Sequence, residues 1–325
     1  MSLTTRQILA LNTFPGVGKQ SILKVGNYRS EPIDTNELPD VLAKCSVKAK
    51  NPQGGNKITI SAEDIDAALR TADDIIKRAK ELNIGIISYY ESDFPPSLRD
   101  TKSEDGKRSD PPIFLFYKGN LDALKYPGLA VIGTRENTLA AEKAGLYLAG
   151  EFARRGFCIV SGLALGCDTI GHRGALNAGG KTVAFLAHGL DTVYPSQNKN
   201  LAQEILLNGG LLLSEYDVGT PVTQYNLVAR DRLQAGLAMA TLVIQTGIKG
   251  GTMHAAKGCA NSGKPLFVVK YSDKKTDSDE KAQGNHLLAR EMGATYISGK
   301  DNLDAIVRSI RESADKKQAF QSSLF

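Results

Sequence analysis

The sequence predicts an α/β protein, a Rossmann-like open parallel sheet with helices on both faces, preceded by a small helical domain. Three observations carry this. Short aliphatic or β-branched runs recur through residues 129–269, each bounded by Gly, Pro or Asn. Amphipathic stretches of helical period separate the runs, as repeated β-α units with right-handed crossovers require. Residues 1–125 lack that alternation, which sets a boundary near Asn120–Pro127. The expected division is therefore residues 1–120, 121–312 and a C-terminal tail, 313–325.

Near the N-terminus, ILALNTFPGVGKQSILKV (8–25) resembles a helix-hairpin-helix, of the kind found in small SAM-like domains. In that reading the turn at Gly16 and Gly18, followed by Lys19, offers backbone amides at a helix start to a DNA phosphate. A compact turn used only for packing explains the same pattern. The polar stretch CSVKAKNPQGGNK (45–57) reads as an exposed loop. Ser61 followed by Asp64 is close to a capping box and opens an amphipathic helix, SAEDIDAALRTADDIIKRAKEL.

In the second part, LAVIG (129–133), FCIVSG (157–162), TVAFLA (182–187), GLLLSE (210–215), ATLVIQT (240–246) and PLFVV (265–269) read as buried strands. The stretch AAEKAGLYLAGEFARRG places Ala141, Ala144, Leu148 and Phe152 on one helical stripe and ends at Gly156. Ligands of such sheets bind beyond the carboxyl ends of the strands, so the loops there are the candidate site. They contain Gly133-Thr134-Arg135, the run Ser161-Gly162-Leu163-Ala164-Leu165-Gly166, and Gly250-Gly251-Thr252. Glycines let backbone amides approach a phosphate, and the following helix adds its positive N-terminal end. Tight turns explain any one of these loops, but three with Arg135 favour a phosphate-bearing ligand.

Composition bounds the function. The chain has 325 residues, 42% of them hydrophobic, and a formal net charge of +5, which permits a polyanionic partner. No window is apolar enough to span a membrane and MSLTTRQILALNTF does not resemble a signal peptide, so a cytoplasmic protein is expected. Cys45, Cys158, Cys167 and Cys259 lack metal-site spacing, so free thiols and no metal are expected. No cofactor is expected. Gly180-Lys181-Thr182 looks like the end of a P-loop, but Ala175 stands where the first glycine belongs, and Thr182 opens a strand. Asp168 and His172 share a helical face without a paired nucleophile, so Asp168 is read as capping its helix or orienting its loop. His188 and His254 are read as structural.

The succession GTR (133–135), VSGLALGCDTIGHRGAL (160–176), TVAFLAHGLDTVYPSQN (182–198), LLSEY (212–216), ARDRLQAGLA (229–238) and GNHLLAREMGATYI (284–297) resembles the DNA-processing protein A family, DprA or Smf, across almost all of residues 85–297. The resemblance implies single-stranded DNA binding in a phosphate-accepting pocket, a homodimer formed through the same domain, and loading of RecA. It places a phosphate clamp on Arg135, a loop on Ser161 to Asp168, and the family's Arg-Asn-Arg element on Arg230, Asp231 and Arg232. Asp231 departs from that element: an acid there either orients its neighbours or weakens anion binding. Gly250-Gly251-Thr252-Met253 and Lys270-Tyr271 also depart from the family's usual residues.

Many members of the family add a winged helix at the C-terminus, and the residues after Ile310 are too few for one. The last five, QSSLF, resemble the peptide by which bacterial proteins bind the β sliding clamp, with Gln321, Leu324 and Phe325 as its anchors. A rival reading is a nucleotide-binding Rossmann sensor or a LOG-like nucleotide hydrolase seating a phosphate on Gly250-Gly251-Thr252. Against the hydrolase, Met253, His254, Ala255 and Ala256 provide no carboxylate after that loop. A non-enzymatic strand binder is the expectation.

Overall fold

The first helices are set by their caps. In the computed structural model, which describes residues 2–103, 106–261 and 263–322 (only the backbone at 254, 261 and 317–322), α1 spans Thr5–Asn12 and opens with a capping box between Thr4 and Gln7. Helix α2 (Lys19–Gly26) starts at Gly18, whose backbone caps it without a side chain. The short α3 (Leu38–Lys44) follows, and then α4 (Ala62–Glu81), which opens on the expected Ser61–Asp64 capping box. Residues such as Ile8, Leu11, Ile22, Leu38, Leu42 and Ile65 from these helices are fully buried in one core. The intervening loop is largely exposed and is pinned by an antiparallel bridge between Ala49 and Ile58.

Nine strands form one sheet. Along the chain come β1 (Gly85–Ser88), the turn of helix α5 (Pro96–Arg99), β2 (Phe114–Gly119), β3 (Gly128–Ile132), α6 (Leu139–Arg154), β4 (Cys158–Ser161) and α7 (Cys167–Asn177). Then follow β5 (Thr182–Leu186), α8 (Lys199–Leu207), β6 (Leu211–Ser214), α9 (Gln224–Leu237), β7 (Ala238–Val243), α10 (Gly251–Asn261), β8 (Leu266–Val269), α11 (Lys274–Asp277), α12 (Gln283–Met292), β9 (Thr295–Ile297) and α13 (Leu303–Ser322). The spatial order is β1-β2-β6-β5-β4-β3-β7-β8-β9. From β6 to β9 every pair is parallel, whereas β1 and β2 are antiparallel to their neighbours, so the sheet is mixed at one edge.

The six runs expected as strands are β3 to β8. Their continuous burial is what two covered faces demand of a parallel strand. Residues 85–119, expected with the N-terminal domain, instead contribute β1 and β2 to the sheet. Gly85 pairs with Tyr117 and Phe116 with Ser214, so the sheet begins 35 residues before the expected boundary at 120. Helix α6 ends one turn as expected, with Gly156 just beyond it at φ +84°. Helix α13 carries the backbone through the first part of the segment expected as a tail, so residues 313–322 are helical.

The topology has one reversal. The chain lays down β3, β4, β5 and β6 outward in one direction, then returns through α9 to place β7 on the other side of β3. Loops leaving β3 and β7 therefore diverge to opposite faces and open a crevice between them.

Candidate functional site

The crevice at that reversal is a cleft of about 340 Å³. The residues brought together there include Gly133, Thr134 and Arg135 after β3, and Gly250, Gly251 and Thr252 at the start of α10. Two contacts strap the first loop to the exit of β7: the Thr134 amide donates to the Gln245 carbonyl at 2.7 Å, and the Thr138 amide to Gln245 Oε1 at 2.9 Å. A side chain at Gly133 would place its Cβ 2.4 Å from Cys167 Sγ, so glycine is what lets this loop close onto α7. Gly250, by contrast, has φ +120°, and both it and Gly251 have open space where a Cβ would lie, which leaves the start of α10 open to the cleft. Its N-terminal amides and the helix dipole favour an anion there.

The loop after β4 serves the fold rather than the cleft surface. Ser161 is fully buried and its hydroxyl donates to the Val131 carbonyl at 2.6 Å, tying β4 to β3. The amides of Gly162 and Ala164 both donate to Asp168 Oδ2, at 3.2 and 3.3 Å. They are thus occupied by the protein's own carboxylate, and Asp168 orients its loop as the sequence suggests. Gly166 (φ +75°) packs against the Thr134 carbonyl, where a Cβ would approach to 2.4 Å. Ser161, Gly162 and Gly166, expected to hold phosphates, do not line the cleft.

Arg230 and Arg232, expected at the phosphates, are both tied to the protein's own groups, although Arg230 also lines the cleft. On α9 they are two residues apart, about 200° around the helix, so they leave it in nearly opposite directions. Arg230 is buried against the sheet. Its Nη1 donates to the carbonyls of Gly162 and Phe185, both at 2.7 Å, and its Nε donates to Asp231 Oδ1 at 3.1 Å. A Cβ at Gly162 would lie 2.2 Å from Arg230 Nη1, so that glycine admits a guanidinium and not a ligand. Arg232 is buried too, paired with Asp110 at 2.6 Å and Glu215 at 2.7 Å. Lys19, expected at a DNA contact, joins the same network through Asp110 (3.1 Å) and Glu215 (3.0 Å) and so ties α2 to α9. Gly16 and Gly18 are exposed on the turn before it.

Two cations remain at the cleft. Arg135 and Lys249 are exposed, line it, and carry no salt bridge among the described residues. Lys249, Gln224 and Gln234 belong to the site and were not singled out from sequence; only their position near the loops could have marked them. Asp168 and Asp231 add carboxylates to its floor. Burial pushes the Asp231 carboxyl up to about 6 against the pull of Arg230, with the Asp168 charge pushing the same way. Burial likewise raises Asp168, and it lowers His172 to about 3, which leaves that ring neutral, its Nδ1 2.6 Å from Thr182 Oγ1. His188 is buried against the Gly189 carbonyl, and the side chain of His254 lies outside the described atoms.

An acid raised in the folded state destabilises that state when ionised. Between about pH 4 and about 6 the folded chain keeps a proton that the unfolded chain releases, so this contribution falls as pH rises through the window. Asp231→Asn is therefore expected to raise unfolding stability by about 1–3 kcal/mol at pH 8, with the gain fading toward pH 4. Urea denaturation at the two pH values measures it. A gain equal at both would assign the effect to something other than the charge.

Fold and site define a doubly wound α/β protein with a glycine-lined cleft at its switch point, at which Arg135 and Lys249 are exposed. Residues 85–308 match the family model for DNA recombination-mediator protein A, and the chain belongs to that family. It is 38% identical to DNA processing protein DprA of Streptococcus pneumoniae R6 over 198 residues, 60% of this chain and 67% of that protein. The chain spans about half the length of the curated Smf proteins it also matches. The X-ray structure of DprA from Streptococcus pneumoniae superposes with a TM-score of 0.72 at 29% identity, covering 94% of this chain and 98% of that one. The DNA processing protein A of Helicobacter pylori, whose structure is described for its single-stranded DNA binding mode, gives 0.59 at 29% identity over 70% and 96%. Among the described residues no helix is long and apolar enough to cross a membrane, no cluster could hold a metal, and the four cysteines are buried and unbridged.

Proposed function

We propose that this chain binds single-stranded DNA through its phosphates in the switch-point cleft, as a mediator of recombination in the cytoplasm. The observation that carries the reading is the convergence of the Gly133–Arg135 loop and the Gly250–Thr252 helix start on one cleft with two exposed cations, Arg135 and Lys249, that carry no salt bridge among the described residues. Backbone amides and cations bind phosphate without regard to sequence, and only 6% of the residues are aromatic, with no Trp, which limits base stacking. The Helicobacter pylori relative, whose structure is described for its single-stranded DNA binding mode, supports it.

Fluorescence-anisotropy titration of a labelled oligo-dT at two salt concentrations tests this. Affinity is expected to fall with salt, with a logarithmic slope of about −0.7 for each phosphate neutralised. Absence of binding at low salt overturns it. The same reading extends to RecA loading and protection of the strand, in transformation or repair, and to a homodimer that lengthens the DNA track. Capture of a β sliding clamp would use Gln321, whose backbone lies in the last turn of α13, with Leu324 and Phe325, which lie outside the described residues.

A further inference from the structure

The cleft is charged the wrong way for a phosphate alone. Its exposed lining carries Arg135, Lys249, the amino end of α10 and Glu136, which is paired with Lys281, while its buried lining carries Arg230 and the hydrogen-bond acceptors of Asp231 and Gln234. Asp231 and Gln234 stand one turn apart on the same face of α9, and both line the cleft. Gln234 is only 2% exposed; its Nε2 donates to Asp231 Oδ1 at 3.2 Å, and its Oε1 has no partner among the described residues. Arg230 donates to that same Oδ1, and no hydrogen bond reaches Asp231 Oδ2 among the described residues. Two acceptors with unused lone pairs are thus held side by side, with the Arg230 guanidinium already committed to Gly162 and Phe185. An unpaired buried acceptor such as Gln234 Oε1 is costly, and an anion placed against the Asp231 carboxylate would be repelled.

Resting on the DNA-binding reading above, we propose that the floor of this cleft, at Asp231 and Gln234, takes the hydrogen-bond-donating edge of a nucleobase, an exocyclic amine foremost, on the nucleotide whose phosphate lies at Arg135 and the Gly250–Thr252 amides. The dimensions agree: about 340 Å³ lies at the small end of ligand pockets and holds one nucleotide, not a stack. The polarity agrees as well, with an anion at one end and a donor at the other. Carboxylates accept readily from the amino group of cytosine, and adenine and guanine also carry amines, whereas thymine offers a single ring N–H. Asp231 thereby becomes a specificity feature: it discriminates against a bare phosphate and in favour of a phosphate joined to a donor.

The test is direct calorimetric titration of the full chain with dCMP, dAMP, dTMP and 2-deoxyribose 5-phosphate at pH 7.5, beside the oligo-dT titration. The amino-bearing nucleotides are expected to bind about tenfold or more tightly than the base-free sugar phosphate, with dTMP between them. In Asp231→Asn that ratio is expected to shrink to about threefold or less, while the sugar phosphate itself binds more tightly because a repelling charge is gone. Four ligands within twofold of one another on the native chain, or no heat from any of them at millimolar concentration, overturn the proposal even if the variant proves unusable. In either case, retained oligo-dT binding leaves the strand-binding reading standing. Loss of oligo-dT binding with amino-selective nucleotide binding intact instead sinks the strand and keeps the subsite.

Discussion

Arg135→Ala is expected to weaken oligo-dT binding about 10- to 100-fold, the effect of losing one charge-assisted, bidentate guanidinium–phosphate contact of roughly 1.5–3 kcal/mol. The size of the effect follows from what the other arginines do. Arg230 and Arg232 are buried and hydrogen-bonded within the protein, so Arg135 is the guanidinium that lines the cleft and remains exposed. The salt slope should shrink by about 0.7, the share of one phosphate on a single strand. Because Arg135 carries no salt bridge among the described residues, the urea midpoint should stay where it is. Arg135→Lys keeps the charge and loses the two-pronged geometry, so it should fall between the two. If the alanine variant binds like the native chain at low salt, the strand runs elsewhere.

Arg230→Met is expected to cost about 3–5 kcal/mol of unfolding stability, the usual penalty for removing one partner of a buried ion pair. Two carbonyls, of Gly162 and Phe185, lose their donor, and Asp231 loses its counter-ion. The deficit should be larger at pH 8 than at pH 5. Without Arg230, burial pushes Asp168 and Asp231 further above their ordinary range, and at low pH both escape the penalty by protonating. Urea titrations at the two pH values measure this. A variant as stable as its parent would mean that the guanidinium is replaceable and that its partners find water. The expected instability also means that lost DNA binding in an Arg230 variant does not identify a phosphate contact.

Much of the fold was legible. The six central strands are continuous apolar runs, because a parallel strand with helices on both faces has no polar side to show. The Ser61–Asp64 cap and the helix ending before Gly156 are local chemistry, and local chemistry is what a sequence records. Strands β1, β2 and β9 were not legible. GIIS and TYI are three or four residues long, and such runs become strands only because a neighbouring edge is present to pair with them.

The site divides in the same way. The sequence by itself determined the parallel core, the carboxyl-edge loops where a ligand would sit, and the kinship that Gly133-Thr134-Arg135 and its companion motifs display. Only the tertiary structure decided which residues of those motifs line the cleft and which are tied to the protein's own groups. Gly162 and Arg230 are both motif residues, 68 positions apart, yet each explains the other, since the missing Cβ makes room for the guanidinium. Ser161, Gly166 and Arg232 are likewise turned to the protein's own groups, leaving Arg135, Lys249 and the start of α10 for an anion. Glycine at a turn and arginine on a helix read alike whether they serve a phosphate or a carbonyl. What separates the two cases is which partner the folded chain brings within hydrogen-bond distance, and that is a property of three dimensions.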